Sequence, residues 1–272
     1  MISFPNAKIN LGLNIVEKRP DGYHNLETIF LPVGLHDALE IIPAHQQTSP
    51  YEWHQTGIAV DAPAVGNIVI KALMLMRERH PKLPPIKVHL HKAIPFGAGL
   101  GGGSADGAFM LKMLNDYFNL DESSASLEEM AAHLGADCAF FIENKPAFGT
   151  GIGNILEPTM VSLKGYYLAL VIPPIHVSTP DAYRYVKPAI PKIPLKEAIL
   201  CPIETWKDTV VNDFEMSVFQ KFPEIANVKA FLYEQGAVYA SMSGSGAAVF
   251  GIFTQKPEIN KEGWFVHVGE MT

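Results

Sequence analysis

The sequence is short of cysteine and of long apolar runs. Its 272 residues include two cysteines, Cys138 and Cys201, whose separation fits neither a metal-ligand pair nor a disulfide framework. We therefore expect two unreactive thiols in or near the core of a protein from a reducing compartment. The longest apolar stretch, at 165–175, is interrupted by prolines and is shorter than the roughly 20 residues that a membrane helix needs. A disulfide-stapled domain and a helical membrane protein are both excluded.

Concentrated positive charge is also missing. The net charge is −7, and the 21 lysines and arginines are scattered along the chain, so the sequence lacks the basic patch of a nucleic-acid-binding protein. Residues 1–16 place Lys8 inside their apolar stretch and lack an A-x-A cleavage site, so we expect no signal peptide and a cytoplasmic protein. A soluble enzyme or a small-molecule binding protein remains, with neither nucleic acid nor membrane as a partner.

Hydrophobic periodicity predicts a mixture of strands and helices, which is an α+β fold. Residues 8–16 alternate as a half-buried strand, and 28–33 and 38–44 read as further strands of an antiparallel meander. For the helix predicted at 126–135, Ser126 is the expected N-cap and Gly135 the expected C-cap. The remaining predictions are helices at 67–80, at 104–120 and in several segments up to about 234, strands at 86–92 and 166–172, a loop at 147–153, and a final pair of strands within 237–253.

The stretch PFGAGLGGGS, at 95–104, contains five glycines in seven positions. Glycine costs about 0.5–1 kcal/mol relative to alanine inside regular structure, so this density indicates a backbone that a ligand approaches closely. Gly97, Gly99 and Gly102 satisfy G-x-G-x-x-G, but the acidic residue that a dinucleotide site needs about 20 positions later is missing. A Walker A loop is also excluded, because Gly103 rather than lysine precedes Ser104.

A predicted strand and a predicted helix flank this glycine stretch, which argues against a flexible linker. We therefore predict a loop that holds phosphate at a helix N-terminus, where unpaired N–H groups and the helix dipole attract an anion. Ser104 is then either the N-cap or a phosphate ligand. Two further segments suit such a site. Ser243 lies in a run of small residues whose backbone a ligand could approach, although a tight hairpin would explain the run as well. Lys8 lies on the polar face of the first strand, where it could meet a phosphate or simply be solvated.

Taken together, these segments resemble the GHMP kinase superfamily. The resemblance lies in PNAKINLGL at 5–13, PFGAGLGGGSADGA at 95–108 and MSGSGAAVF at 242–250. Three further motifs narrow it to one branch of the superfamily: RPDGYH at 19–24, GADCAFF at 135–141 and VND-E at 211–215. It implies a two-lobed α+β fold with the active site in the cleft between the lobes. The ATP-binding N-terminal lobe, with a mixed or antiparallel sheet and helices, would occupy 1–155 and the α/β C-terminal lobe 156–272.

The same resemblance implies a reaction. ATP would phosphorylate the 2-hydroxyl of 4-diphosphocytidyl-2-C-methyl-D-erythritol, giving the 2-phosphate, in the non-mevalonate route to isoprenoids and terpenoids. Mg²⁺ would accompany the nucleotide, held mainly by the ATP phosphates and Ser104, because no acidic residue is obviously placed for it. Another GHMP kinase, acting on a mevalonate-type substrate, a sugar or homoserine, and a non-catalytic nucleotide-binding protein are the alternatives. Monomer and homodimer are both compatible with the sequence.

The resemblance also implies roles for individual residues. Asp137 matches the aspartate that takes the proton of the acceptor hydroxyl. Lys8 matches the lysine that orients this aspartate and neutralises charge on the phosphate. The other interpretation of Asp137 is an aspartate that caps a helix or forms a salt bridge. The glycine-rich loop would bind ATP. Its implied ATP-binding residues are Pro95, Gly97, Gly99, Leu100, Gly101, Gly102, Gly103 and Ser104.

The cytidyl substrate has its own matching residues. Tyr23 and His24 match those that hold the cytosine ring by stacking and by hydrogen bonds to its edge, although an exposed Tyr-His turn would look the same. A second aromatic side chain is expected to complete this base site, and Tyr183 is our choice over Tyr185. The other implied substrate-binding residues are Asn10, Ser243 and Gly244.

Overall fold

The computed structural model describes residues 1–44, 49–59 and 64–271, which form an α+β fold. In these ranges, no helix combines the length and the apolar character needed to cross a membrane. The strands are β1 (Ile2–Ser3), β2 (Asn6–Lys18), β3 (His24–His36), β4 (Ala38–Pro43), β5 (Tyr51–Gly57), β6 (Ile86–Lys92), β7 (Ala147–Thr150), β8 (Ile155–Pro158), β9 (Tyr167–Ile172), β10 (Tyr239–Met242), β11 (Val249–Phe253) and β12 (Phe265–Glu270). The helices are α1 (Ile68–Arg79), α2 (Gly102–Phe118), α3 (Ser124–Leu134), α4 (Phe140–Glu143), α5 (Thr179–Tyr183), α6 (Leu195–Ala198), α7 (Trp206–Thr209), α8 (Phe214–Lys221) and α9 (Pro223–Glu234).

The chain divides into two compact units. Unit 1 comprises Met1–Ala7, Leu35–Phe96 and Gly101–Asn144, and unit 2 comprises Lys8–Gly34, Gly97–Leu100 and Lys145–Thr272. The predicted lobe boundaries near residue 155 stay a prediction.

Unit 1 contains one sheet of strand order β1-β4-β6-β5, with helices α1, α2, α3 and α4. Strand β4 pairs antiparallel with β6, so that buried Leu39 lies opposite buried Leu90 and Ile41 opposite Val88. Strand β5 pairs parallel with β6. The predicted meander is therefore wrong in its last step: β2 and β3, which contain 8–16 and 28–33, are neighbours, but these apolar cross-strand pairs stabilise β4 in a different sheet from β3.

Unit 2 contains two sheets, of order β2-β3-β7-β8 and β10-β11-β9-β12. Its core joins strand and helix residues, including Ile15, Val171, Phe214 and Val228, all fully or almost fully buried. The loop predicted at 147–153 is partly wrong, because residues 147–150 form β7 and pair with Thr28, Ile29 and Phe30 of β3.

Several helix ends differ from the prediction. Helix α2 begins at Gly102, two residues before Ser104, because its N-cap is Gly101, whose left-handed φ of 69° suits a residue without a Cβ. Ser104 as N-cap is therefore wrong. Ser126 is also not an N-cap: the Ser123 side chain caps α3 by accepting from the Ser126 N–H at 3.2 Å. Gly135 is the C-cap, as predicted.

The other strongly periodic segments form the predicted elements. Strand β6 covers 86–92, helix α1 covers most of 67–80, and β10 and β11 form the predicted antiparallel pair. Strands β5, β8 and β12 lie in segments for which the pattern predicts no strand, since they are polar or short. Cys138 is buried as expected, whereas Cys201 is exposed, which corrects its predicted place in or near the core.

Candidate active site

A buried polar cluster in unit 2 surrounds Lys8. The side chain is 3% exposed, and its Nζ donates to Asn10 Oδ1 at 2.7 Å and to the Gly99 carbonyl at 3.2 Å. The ammonium also lies 5.3 Å from the centre of the Phe30 ring. Asn10 in turn donates from Nδ2 to Thr28 Oγ1 at 3.0 Å. The predicted residues Lys8, Asn10 and Gly99 are thus in direct contact, which excludes a merely solvated lysine.

The turn between β10 and β11 joins the same cluster. Ser243 is fully buried; its hydroxyl donates to the Gly99 carbonyl at 2.9 Å and accepts from the Asn10 N–H at 3.3 Å. A Cβ on Gly99 would lie 2.1 Å from the Ser243 carbonyl oxygen, so only glycine fits at this crossing. A Cβ on Gly244 would lie 3.3 Å from Asn10 Oδ1. The segment is a hairpin, and it also packs against the first part of the glycine stretch.

Three side chains of the 211–215 motif support this cluster, although sequence reasoning gave them no role. The buried amide of Asn212 donates to the carbonyls of Met242, at 2.8 Å, and Gly244, at 2.9 Å. Asp213 accepts from the Ile15 N–H of β2 at 2.7 Å, and burial raises the pKa of its carboxyl. Glu215 accepts from the Met242 N–H at 2.9 Å. The motif therefore fixes the β10 side of the hairpin turn through Asn212 and Glu215, and is itself joined to β2 through Asp213.

The aromatic residues expected at the cytosine site also lie in unit 2. The rings of His24 and Tyr183 stack with their centres 4.8 Å apart and 26° between their planes. Desolvation and the neighbouring charge of Lys18 lower the pKa of His24. The ring of Tyr23 is 63% exposed, while that of Tyr185 is 44% exposed. The structure brings Tyr183 rather than Tyr185 against His24, and the distance leaves no room for a third ring between them.

The second part of the glycine stretch begins helix α2 in unit 1. The N-cap Gly101 has no side chain to cap the helix, and the N–H groups of Gly102, Gly103 and Ser104 belong to the first turn, where no preceding turn of the helix supplies an acceptor. A Cβ on Gly103 would have no neighbour within 4 Å, which leaves the backbone on that side open. Ser104 is the third residue of the helix and is half-buried. This geometry is that of an anion site at a helix N-terminus.

Asp137 lies in the turn between α3 and α4 and is half-buried, as expected from its place between Gly135 and an apolar segment. The neighbouring thiol of Cys138 is buried, which raises its pKa to about 11; a hydrogen bond with the Ser104 side chain lowers it, and the charge of Asp137 raises it further. Within unit 1, the turn that carries Asp137 is therefore linked to the first turn of α2 through Cys138.

A second buried charge cluster lies in unit 1, and sequence reasoning gave its members no role. The Nζ of Lys92 donates to Asp37 Oδ2 and, at 2.9 Å, to Asp106 Oδ2. Asp37 Oδ1 also accepts from the N–H groups of Ala93, at 2.6 Å, and Ile94, at 2.8 Å. Within the described part of the chain, Asp106 Oδ1 is buried and has no hydrogen-bond partner. Burial raises the pKa of Asp106 to about 8; the Lys92 ammonium lowers this pKa, and the Asp37 carboxylate raises it.

This raised pKa predicts a pH-dependent stability. The folded protein holds the Asp106 proton more tightly than the unfolded chain does, so the resulting stabilisation is complete below the ordinary pKa of 3.8 and is lost as the pH rises through about 8. We expect the melting temperature of the wild-type protein to fall more steeply over this range than that of Asp106→Asn. Parallel melting curves for the two proteins would contradict the prediction.

No group of three or more His, Cys, Asp or Glu side chains is placed to hold a metal ion within residues 1–44, 49–59 and 64–271. The Ser104 hydroxyl at the start of α2 is an oxygen donor of the kind that Mg²⁺ accepts. Mg²⁺ in kinases is usually bound by one or two carboxylates together with phosphates and water, and in some nucleotide sites by a Ser or Thr hydroxyl, so Ser104 alone fits a metal whose other ligands arrive with the nucleotide.

Comparison with known proteins identifies the family of this chain. Residues 67–145 match the model of the GHMP kinases N terminal domain, and residues 203–262 match that of the GHMP kinases C terminal domain. A curated 4-diphosphocytidyl-2-C-methyl-D-erythritol kinase of Parabacteroides distasonis is 58% identical over 262 residues, covering 96% of this chain and 94% of the relative. The chain belongs to the 4-diphosphocytidyl-2-C-methyl-D-erythritol kinase family of the GHMP kinases. It is an ATP-dependent small-molecule kinase, and the GHMP kinase fold implied by the motifs is confirmed.

Further relatives agree with this family. A 4-diphosphocytidyl-2-C-methyl-D-erythritol kinase of Bacteroides fragilis is 56% identical over 96% of this chain and 95% of its own length. The crystal structure of a 4-(cytidine 5'-diphospho)-2C-methyl-D-erythritol kinase is 32% identical, with a TM-score of 0.80 over 93% of this chain and 90% of that one. The mevalonate kinase of Methanococcus jannaschii shares the fold, with a TM-score of 0.72 at 12% identity over 100% of this chain and 98% of its own.

Proposed function

We propose that this kinase transfers the γ-phosphate of ATP to the 2-hydroxyl of 4-diphosphocytidyl-2-C-methyl-D-erythritol, giving the 2-phosphate for isoprenoid synthesis by the non-mevalonate route. The observation that carries the proposal is the identity of 58% over almost the whole length of a relative named for this substrate. The buried cluster around Lys8 and the open N-terminus of α2 supply the two kinds of group that phosphoryl transfer requires, namely fixed positive charge and backbone donors.

The N-terminus of α2 is the proposed place of the ATP phosphates. The N–H groups of Gly102, Gly103 and Ser104 lie in the first turn behind a glycine N-cap that offers them no side chain, and the positive end of the helix dipole favours an anion beside them. The open space beside Gly103 lets a phosphate oxygen approach the backbone more closely than a side chain would allow. Pro95, Gly97, Gly99, Leu100 and Gly101 lead into this helix and complete the proposed loop. Mg²⁺ would be held by ATP phosphates together with the Ser104 hydroxyl, and would offset the phosphate charge.

Lys8 and Asp137 are the proposed catalytic residues. The Lys8 ammonium is held in one position by Asn10 and Gly99, so it can offset the negative charge that develops on the transferred phosphoryl group without rearranging. Asp137, a half-buried carboxylate in a turn, would accept the proton of the acceptor hydroxyl. Asn10, Ser243 and Gly244 would contact the acceptor, since they share the Lys8 cluster.

The substrate assignment is tested by measuring phosphate transfer from ATP to 4-diphosphocytidyl-2-C-methyl-D-erythritol, mevalonate, homoserine and galactose under the same conditions. We expect kcat/KM for the cytidyl compound to exceed the others by at least two orders of magnitude. A preference for any of the other three would overturn the substrate and leave the kinase family intact. ATP binding without transfer to any of them would favour a nucleotide-binding protein.

Removal of the Tyr23 ring tests the cytosine site. Stacking on an aromatic side chain contributes roughly 1–3 kcal/mol per base, and Tyr23 is exposed and directly precedes His24, whose ring stacks on Tyr183. We therefore expect Tyr23→Ala to raise KM for the cytidyl substrate roughly tenfold or more, with KM for ATP almost unchanged. Tyr185→Ala is the matched control, for which both KM values should stay at the wild-type level. Equal effects of Tyr23→Ala on both KM values would place the base elsewhere.

A further inference from the structure

The buried cluster of Lys92, Asp37 and Asp106 lies directly beneath the first residue of helix α2. A Cβ built on Gly102 would lie 3.2 Å from Lys92 Nζ and 2.8 Å from Ile94 Cγ2. Lys92 is 3% exposed, Asp106 2% and Asp37 1%. The absence of a side chain at Gly102 therefore lets an ammonium group pack against the start of the helix.

This ammonium connects the two sides of the glycine-rich loop. On one side, Asp37 accepts from Lys92 and from the N–H groups of Ala93 and Ile94, just before the loop. On the other side, Asp106 in the second turn of α2 accepts from the same ammonium. Lys92 thus fixes where the loop leaves β6 and where it enters the helix.

The stability of the fold does not account for three buried ionisable groups at this place. Desolvation of a buried ion pair largely cancels its attraction, so apolar residues of similar volume are often as stable. A cation beside a helix N-terminus is also unfavourable for the helix itself. The same cation becomes favourable when an anion binds at that terminus, which is where the proposed function places the phosphates of ATP.

We propose that Lys92 is a positioning residue for the nucleotide: held by Asp37 and Asp106, its ammonium sets the position of the first turn of α2. This inference rests on the proposed function of that turn. The two aspartates have unequal roles. An asparagine at position 106 can present its oxygen to Lys92 and its amide where Oδ1 now has no partner. An asparagine at position 37 must present its amide to the Lys92 ammonium, because its oxygen is needed by Ala93 and Ile94.

The test is calorimetric titration of the full-length protein with ATP and, separately, with the cytidyl substrate. For Lys92→Met and Asp37→Asn we expect Kd for ATP to rise at least about tenfold, with Kd for the cytidyl substrate within about threefold of wild type. Asp106→Asn should bind both within about threefold. Wild-type ATP affinity in folded Lys92→Met overturns the proposal, and so does an equal loss in Asp106→Asn and Asp37→Asn.

Lys112→Met is the matched control. Lys112 lies in helix α2, and its Nζ donates to the Ile142 carbonyl at 2.8 Å instead of contacting the first turn of that helix. We expect a lower melting temperature and an unchanged Kd for ATP. If Lys92 had a purely structural role, both lysine variants would lower the melting temperature and neither would change the ATP affinity of the folded protein.

A second pair of variants applies if Lys92→Met does not fold. Gly102→Ala would push the helix start away from Ile94 and Lys92, so it should weaken ATP binding with the charges intact. Gly107→Ala makes a similar contact, 3.0 Å from Ile68 Cγ1, farther along the helix and should lower only the stability. Equal ATP affinity in these two variants overturns the proposal.

The titrations, together with the phosphate-transfer assay, also separate this inference from the proposed function. A wild-type protein that binds ATP without phosphorylating the cytidyl substrate overturns the proposed substrate, while the comparison of Lys92 variants still decides the positioning role. A wild-type protein that does not bind ATP overturns both.

Discussion

Asp137→Asn is expected to lower kcat by roughly 10²- to 10⁴-fold, the usual contribution of a positioned general base. Asparagine has the same shape as aspartate but cannot accept the proton of the acceptor hydroxyl. The binding of ATP should remain close to that of wild type, because the proposed phosphate donors are backbone groups of α2. Single-turnover measurements at saturating ATP and substrate would isolate the chemical step.

The control for this variant is Asp116→Asn, in which an exposed carboxylate of the same unit is neutralised. Its kcat should equal that of wild type, which shows that a change of one charge in unit 1 is tolerated. If Asp137→Asn turned over at the wild-type rate, Asp137 would not be the base, and the chemistry would proceed by positioning and charge stabilisation without a side-chain base.

Lys8→Met is expected to lower kcat by roughly 10²- to 10³-fold, the effect of removing one group that stabilises charge in the transition state. Methionine fills much of the same volume beside the Phe30 ring, but Asn10 Oδ1 loses its Lys8 donor, whereas the Gly99 carbonyl keeps the hydrogen bond from Ser243. We therefore also expect a lower melting temperature, by the equivalent of about 1–3 kcal/mol for one buried acceptor left unpaired.

Lys196→Met separates these two effects. Lys196 also lies over a phenylalanine ring, 4.5 Å from the centre of Phe148, but it pairs with exposed Glu157 at the surface of the same unit. Its loss should leave kcat unchanged. A Lys8→Met protein that is destabilised yet fully active per folded molecule would restrict Lys8 to holding Asn10 and the glycine stretch together.

Local pattern predicts the regular elements well where one physical cause dominates. Strand β6 alternates between buried side chains and exposed or half-buried ones, and its predicted and observed bounds agree. The glycine stretch is predicted as a loop before a helix that a ligand approaches closely; at Gly99 the group that approaches is instead the protein backbone of Ser243, where a Cβ would not fit, and the phosphate role of the loop stays a prediction. The predicted start of α2, at Ser104, is wrong by two residues, because the spacing of apolar residues does not reveal the left-handed conformation of Gly101.

The relationships that local pattern does not predict are those between distant residues. Asp37, Lys92 and Asp106 carry no common spacing, and each alone looks like a surface charge; only the pairing of β4 with β6 and the packing of α2 bring them together. The same holds for Asn212, whose amide reaches the carbonyls of the 242–244 turn. Strand β12 is identified only by its antiparallel pairing with β9.

The discontinuous composition of the two units has a consequence for synthesis on the ribosome. Strands β2 and β3 emerge among the first 36 residues, but β7, the second partner of β3, begins at Ala147, and the hairpin turn that packs on Gly99 lies near residue 243. The nascent chain must therefore keep two long apolar strands from aggregating while more than a hundred residues are added. Unit 1, whose last segment ends at Asn144, can complete its contacts first, so we expect the order of folding to follow the order of these last segments rather than the position of the N-terminus.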